Sequence, residues 1–274
     1  MHMRRFAPLA LFTSMALAGC STDATTAPPA DRPSLVTRGT LAGAAHPEVV
    51  LILMEVDDNI KYRCSGTLIS PTVVLTAGHC VGEPQEFRAI RIFTESDVQN
   101  GTNNYPGAGP NSVEGLTWSA HPLYTNAAFF LHDVGVIHLA GAVILPASSY
   151  GQLPDLNQLD ALRPSSRTTF TAVGYGLQRI NPVFVVAEKV RMFATPHLLQ
   201  INTGFTGAGS LLLSNNARTG GTCFGDSGGP NYLGTTQVIA AVTSFGINGN
   251  CAGTGGVFRV DRPDVLAFIQ THLR

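Results

Sequence analysis

Residues 222–230 read Thr-Cys-Phe-Gly-Asp-Ser-Gly-Gly-Pro. One serine, Ser227, stands in a run of small residues. Gly225, Gly228 and Gly229 let the backbone turn sharply and leave the Ser227 hydroxyl uncovered. A serine hydroxyl is a poor nucleophile by itself. It needs a base to take its proton, a group to orient that base, and N–H donors for the oxyanion that forms. The rest of the chain is therefore searched for a histidine and a buried acid.

Two further stretches supply them. Residues 64–80 read Cys-Ser-Gly-Thr-Leu-Ile-Ser-Pro-Thr-Val-Val-Leu-Thr-Ala-Gly-His-Cys, and residues 132–139 read His-Asp-Val-Gly-Val-Ile-His-Leu. With these three segments in the order His79, Asp133, Ser227, the chain resembles the trypsin/chymotrypsin-like serine proteases, in a bacterial version. The family's TAAHC signature stands here as Thr-Ala-Gly-His-Cys at 76–80. Its DIAL signature stands as Asp-Val-Gly-Val at 133–136, and its GDSGGP signature is intact at 225–230. The resemblance covers residues 36–274. It implies an all-β fold of two antiparallel six-stranded Greek-key β-barrels with a C-terminal α-helix.

Composition agrees with that class. The chain has 274 residues, a net charge of −1, only 13% charged residues and 29 glycines, which suits a secreted, turn-rich β protein. The charge balance gives no footprint for nucleic acid or a charged membrane surface. No run of eighteen apolar residues follows the N-terminal segment, so no transmembrane helix is expected in the mature protein. The eight histidines form no H-E-x-x-H pattern, and no cofactor or metal is expected.

Residues 1–20 carry Arg4 and Arg5, an apolar run over 6–18, then Leu17-Ala18-Gly19-Cys20. The first parts read as a secretory signal peptide. The last four residues look like a bacterial lipobox, with Cys20 lipidated; the alternative is an ordinary signal peptide with a chance cysteine. Setting Cys20 aside leaves four of the five cysteines, an even number suited to an oxidising compartment. Residues 21–35 have no apolar periodicity and read as a disordered tether or propeptide. The expected product is exported from a bacterial cell. It is lipid-anchored at the envelope or released, touches membrane only through Cys20, is monomeric, and takes a protein or peptide substrate.

The protease-like domain is expected over 36–274, with a first barrel at 36–146, a linker at 147–167, a second barrel at 168–260 and a terminal helix at 261–274. Strands are expected at 46–56, 62–69, 72–76, 87–93, 134–139, 168–176, 183–193, 209–214, 236–245 and 256–260. Residues 94–112, dense in Gly, Asn, Pro and Asp, read as a long surface loop. Its Glu95 and Asp97 suggest a calcium loop, but the regular ligand spacing is missing and a solvated loop is favoured. Asp261 is read as an N-cap acid ahead of Pro263.

The resemblance also implies roles. His79 is the general base, Asp133 orients it, and Ser227 is the nucleophile. The backbone N–H groups of Gly225 and Ser227 form the oxyanion hole. Ser244 supports Asp133 and lines the substrate strand. Four cysteines allow three pairings; the resemblance selects Cys64 with Cys80 and Cys223 with Cys251. Val36 stands where the family has its activation sequence, and its freed amine would pair with Asp226. The substrate pocket is expected from Gly221, Thr222, Ser244, Phe245, Gly246 and Gly256. Gly221 stands at the pocket base where trypsin-like members have Asp, so an uncharged, apolar P1 residue is expected.

Two rival readings remain. The pattern at 225–229 also satisfies the G-x-S-x-G elbow of esterases, but Gly228-Gly229-Pro230 starts no helix well and no strand–helix alternation follows. A catalytically silent binding module on the same fold would normally lose one of the three residues, and all three are present.

Overall fold

The computed structural model describes residues 39–58, 61–82, 87–180, 185–204 and 206–274. The expected signal peptide, Cys20, the tether and Val36 lie outside the described residues.

Six strands close the first barrel: β1 (Val49–Glu55), β2 (Lys61–Ser70), β3 (Val73–Thr76), β4 (Ala89–Phe93), β5 (Ser112–Ala120) and β6 (Gly135–Leu139). Their order around the barrel is β1-β2-β3-β6-β5-β4. The run Val49-Val50-Leu51-Ile52-Leu53-Met54 explains why this barrel has two buried faces. Alternate side chains of a strand point to opposite sides. Val50, Ile52 and Met54 pack with Leu68, Val74, Ile90 and Ile137 in one core. Val49, Leu51 and Leu53 pack instead with Val173, Tyr232, Val242 and Phe258, which belong to the second half of the chain. A continuous apolar run is what a strand buried on both faces requires.

The second barrel comprises β7 (Ser165–Gly174), β8 (His197–Ile201), β9 (Ser210–Asn215), β10 (Pro230–Leu233), β11 (Ile239–Gly246) and β12 (Gly253–Arg259). It runs β7-β8-β9-β12-β11-β10 and closes where β10 pairs with β7, Asn231 opposite Ala172. Short strands Met192–Ala194 and Thr40–Leu41 extend it beyond β7. Helix α1 (Pro263–Thr271) lays Val265, Leu266 and Ile269 on the core between the barrels. Two closed six-stranded antiparallel barrels and one C-terminal helix are thus the observed architecture.

Some local expectations need correction. The segment 183–193 is not one strand: among the described residues it holds only Val185–Val186 and the start of Met192–Ala194. Strand β7 begins at Ser165, inside the stretch expected as linker. Asp261 does not cap α1, whose N-cap is Arg262. It is fully buried, receives the Leu159 N–H at 2.8 Å and pairs with the buried Arg259 at 2.7 Å, because a charge with no water needs a partner. The 94–112 loop is internally organised rather than merely solvated. Glu95 accepts the Thr102 N–H at 2.7 Å and the Asn111 amide at 3.0 Å.

Candidate active site

Each barrel carries part of the site. Strand β3 ends at Thr76, and the chain then makes a tight turn over Gly78–Cys80 that carries His79. A Cβ at Gly78 would stand 2.8 Å from the Tyr124 ring, so a side chain there would have to displace that ring. The Cys64–Cys80 disulfide ties the end of that turn to β2. Asp133 precedes β6 and is fully buried. His132 just before it takes a left-handed φ of 51°, so the chain turns sharply into the aspartate.

Asp133 is surrounded by donors. Its Oδ1 accepts the His79 backbone N–H at 2.9 Å, and its Oδ2 lies 2.9 Å from His79 Nδ1. Ser244 on β11 donates its hydroxyl to the same Oδ2. A buried carboxylate is thus satisfied by one backbone and two side-chain groups from both barrels. Burial alone would lower the His79 pKa, but the charge of Asp133 and its hydrogen bond outweigh this, and the imidazole is raised above its ordinary value.

Ser227 sits in the turn between the Cys223–Cys251 disulfide and β10. The turn is locked to the first barrel. Ser65 N–H donates to the Ser227 carbonyl at 2.8 Å, and the Ser65 hydroxyl donates to the Gly225 carbonyl at 2.9 Å. Gly225 and Gly228 have φ of 96° and 77°. A side chain on Gly228 would also meet Thr76 Oγ1 at 2.0 Å, so the serine turn can dock on β3 only because this residue is glycine. Among the described residues, neither the Gly225 nor the Ser227 N–H donates to another protein group. Among the described residues, no hydrogen bond joins the Ser227 hydroxyl to His79; such contacts commonly tighten only when substrate binds.

His79 and Ser227 line one cleft of about 410 Å³. Thr222, Ser244, Phe245 and Gly246 line it with them. Gly221 and Gly256, also expected at the pocket, are not among its lining residues. The space beside Gly221 is filled by the side chain of Asn215, whose amide donates to the Thr222 carbonyl at 2.6 Å. The space beside Gly256 is filled by the Phe245 ring, 2.3 Å from where a Cβ would stand. The glycine at 256 therefore admits an aromatic ring of the protein itself instead of opening the mouth. Sequence reading missed Phe129, Phe224, Tyr124 and Asn248 in the lining. No local pattern marks them, since they come from loops whose placement depends on the barrels. His138 meets His272 of the C-terminal segment at 2.9 Å, away from the cleft.

Asp226 is buried beside the serine. It accepts the Gly176 N–H at 2.7 Å and the Cys223 N–H at 2.9 Å. Burial pushes its pKa up to about 6, against the pull of those two bonds and of Arg63.

The trypsin family model matches residues 42–265, and the chain belongs to that family. It is a serine protease, a hydrolase acting on protein or peptide substrates. It is 28% identical over 193 residues to chymotrypsin-like elastase family member 1 of Macaca fascicularis, covering 67% of this chain and 68% of that one. It is 29% identical over 204 residues to brachyurin of Leptuca pugilator, covering 72% and 80%. In fold it resembles the solved structure of HL collagenase, with a TM-score of 0.66 and 20% identity over 86% of this chain and 96% of that one. Proteases of this family are generally secreted or extracellular, and the two disulfides fit an oxidising setting.

Proposed function

We propose that the protein cleaves peptide bonds through a triad of Ser227, His79 and Asp133. The observation that carries this reading is the double hold of Asp133 on His79. It engages both the backbone N–H and Nδ1, which leaves Nε2 for the cleft that Ser227 lines. The Ser227 oxygen attacks the substrate carbonyl carbon while His79 Nε2 takes its proton. The developing oxyanion accepts the Gly225 and Ser227 N–H groups. His79 then gives the proton to the leaving amine as the C–N bond breaks. Water, deprotonated by His79, attacks the acyl ester, and the acid product leaves with Ser227 restored.

The P1 residue is uncharged and apolar. Among the described residues no carboxylate lines the cleft, and Phe129, Phe224 and Phe245 supply apolar wall. The side chain beside Gly221, the Asn215 amide, is neutral. The chain is exported from a bacterial cell as a monomer, held by lipid at Cys20 or released; cleavage before Val36 would part the domain from Cys20 and free an amine able to pair with Asp226. These points rest on residues 1–36 of the sequence and on the family resemblance.

A fluorophosphonate probe tests the central reading. Wild-type protein is expected to label and Ser227→Ala to remain unlabelled. Absence of labelling in folded wild type would overturn the assignment and favour a silent binding module. For the anchor, Cys20→Ala is expected to move the protein from the membrane fraction to the medium.

A further inference from the structure

Residues 121–124, His-Pro-Leu-Tyr, make a tight turn after β5 that joins two parts of the site. The His121 N–H donates to the carbonyl of Val134, one residue past Asp133, at 2.8 Å. The Tyr124 N–H returns to the His121 carbonyl at 2.8 Å, and the Leu123 N–H donates to His121 Nδ1 at 3.2 Å. Pro122 in the second position sets the φ that such a turn needs. Just past the turn, the Tyr124 ring stands against Gly78, one residue before His79, 2.8 Å from where a Cβ would stand. Tyr124 and His79 line the same cleft. The bond from Leu123 follows the Asx-turn pattern, in which a side chain accepts the N–H two residues on, with an imidazole in place of Asn or Asp.

We propose that His121 is a positioning residue for the catalytic base: as a neutral ring it accepts the Leu123 N–H, sets the 121–124 turn and seats Tyr124 against the chain that carries His79, and a proton on its Nδ1 releases that turn. The inference rests on His79 being the base. A ring nitrogen that accepts a backbone N–H presents a lone pair, so neutral His121 carries its proton on Nε2. That Nε2 stands 3.8 Å from Asp264 Oδ2 on α1. A second proton would enter at Nδ1 and face the Leu123 N–H. Two donors make no hydrogen bond, and the turn loses its side-chain support. The surroundings resist that proton. His121 is 5% exposed, with the His132 ring stacked on it at 5.0 Å and the Phe268 ring of α1 edge-on at 5.2 Å. Burial and the charge of His132 lower its pKa, and Asp264 opposes them. Arg262 lines a cavity with His132 and Asp264, and its guanidinium lies 3.7 Å from Asp160. The fold therefore favours the neutral ring. That contribution is complete above the unfolded pKa of about 6.5 and is lost as pH falls through the lower, folded value.

The test follows log kcat/KM of the full chain against pH on an apolar peptide substrate, with active sites counted by complete fluorophosphonate labelling at neutral pH. Wild type is expected to fall with unit slope below the His79 limb, and with a slope of two once His121 also titrates, below pH of about 6.5. His121→Asn keeps an acceptor for the Leu123 N–H that does not titrate. It is expected to retain most of the neutral rate and to show unit slope throughout. His121→Leu is expected to lose about tenfold at neutral pH, chiefly in kcat, the size of one hydrogen bond. If the leucine variant does not fold, two neighbours carry the test. Asp264→Asn is expected to move the second break to lower pH. His132→Asn, a residue that tolerates left-handed φ, is expected to move it to higher pH. Unit slope in wild type at every pH, a second break that persists in His121→Asn, a leucine variant as fast as wild type, or the same direction of shift in both neighbours would each overturn the inference. A wild type that neither labels nor cleaves would instead overturn the triad.

Discussion

Ser244, on β11 of the second barrel, donates its hydroxyl to Oδ2 of Asp133, the same oxygen that faces His79 Nδ1 in the first. The acid is therefore held by both barrels at once. Ser244→Ala removes one donor to a fully buried charge, a loss of about 1.5–3 kcal/mol for a charged acceptor. The expected result is a fall of about tenfold to a hundredfold in kcat/KM on an apolar peptide substrate, with most of it in kcat. Steady-state kinetics on the folded variant checks this.

The pH dependence follows from His79. Its pKa is raised, with the charge and hydrogen bond of Asp133 overcoming burial. The protonated ring is thus favoured by the fold. That contribution to stability is complete below the unfolded pKa of about 6.5 and is lost as pH rises through the folded value. Activity needs the neutral ring, so the acid limb of kcat/KM is expected above pH of about 6.5. Asp133→Asn is expected to lower the His79 pKa, read by NMR of the imidazole, and to cut kcat by about ten-thousandfold through loss of the productive tautomer.

Cys80 follows His79 directly, and its disulfide closes a loop with a sequence separation of 16. Replacing Cys64 and Cys80 by serine is expected to cost about 3 kcal/mol, the chain-entropy value for a loop of that size. The urea midpoint of unfolding reports the loss. A parallel fall in activity is expected, because the bridge anchors the turn that carries His79.

Asn215 decides what Gly221 can become. Placing an acid there to select Lys or Arg at P1 is expected to fail in Gly221→Asp alone, because its Cβ would meet Asn215 Cγ at 2.2 Å. Overpacking of this kind typically costs about 1–3 kcal/mol. The double variant Gly221→Asp with Asn215→Gly is expected to regain stability and to gain cleavage after basic residues. Melting temperatures and a peptide library with varied P1 separate the two outcomes. The unmodified protein is expected to prefer apolar P1 residues in the same library.

Gly228 joins the barrels at the serine. Its φ of 77° and the 2.0 Å approach of Thr76 Oγ1 leave no room for a methyl group. Gly228→Ala is expected to lose labelling by the fluorophosphonate probe and to unfold at markedly lower urea, since it adds backbone strain to a steric clash.

Much of this molecule was legible in the chain. The three segments around His79, Asp133 and Ser227 are contiguous, and local chemistry explains them: small residues where the backbone turns, apolar runs where a carboxylate is buried. The run 49–54 marks a strand with two buried faces, and the apolar face after Pro263 marks α1. Strands β5, β8 and β10 were not read. Strand β5 is half-exposed and its register shifts between Gly115 and Thr117, which breaks the alternation; β8 and β10 are short.

What the sequence by itself determined is which residues are chemically equipped: a serine in a glycine turn, a histidine beside a cysteine, an aspartate in an apolar strand, and a paired set of cysteines. Only the tertiary structure decided what stands beside them. Ser65 reaches the Gly225 carbonyl across 160 positions of chain, and Arg63 lies over the same glycine. Asn215 fills the space beside Gly221, and Phe245 closes the space that Gly256 leaves. The reason is physical. Periodicity and turn chemistry act over a few residues, whereas these neighbours meet only after two barrels close and pack. Their contacts depend on strand register and on which glycines let two backbones approach.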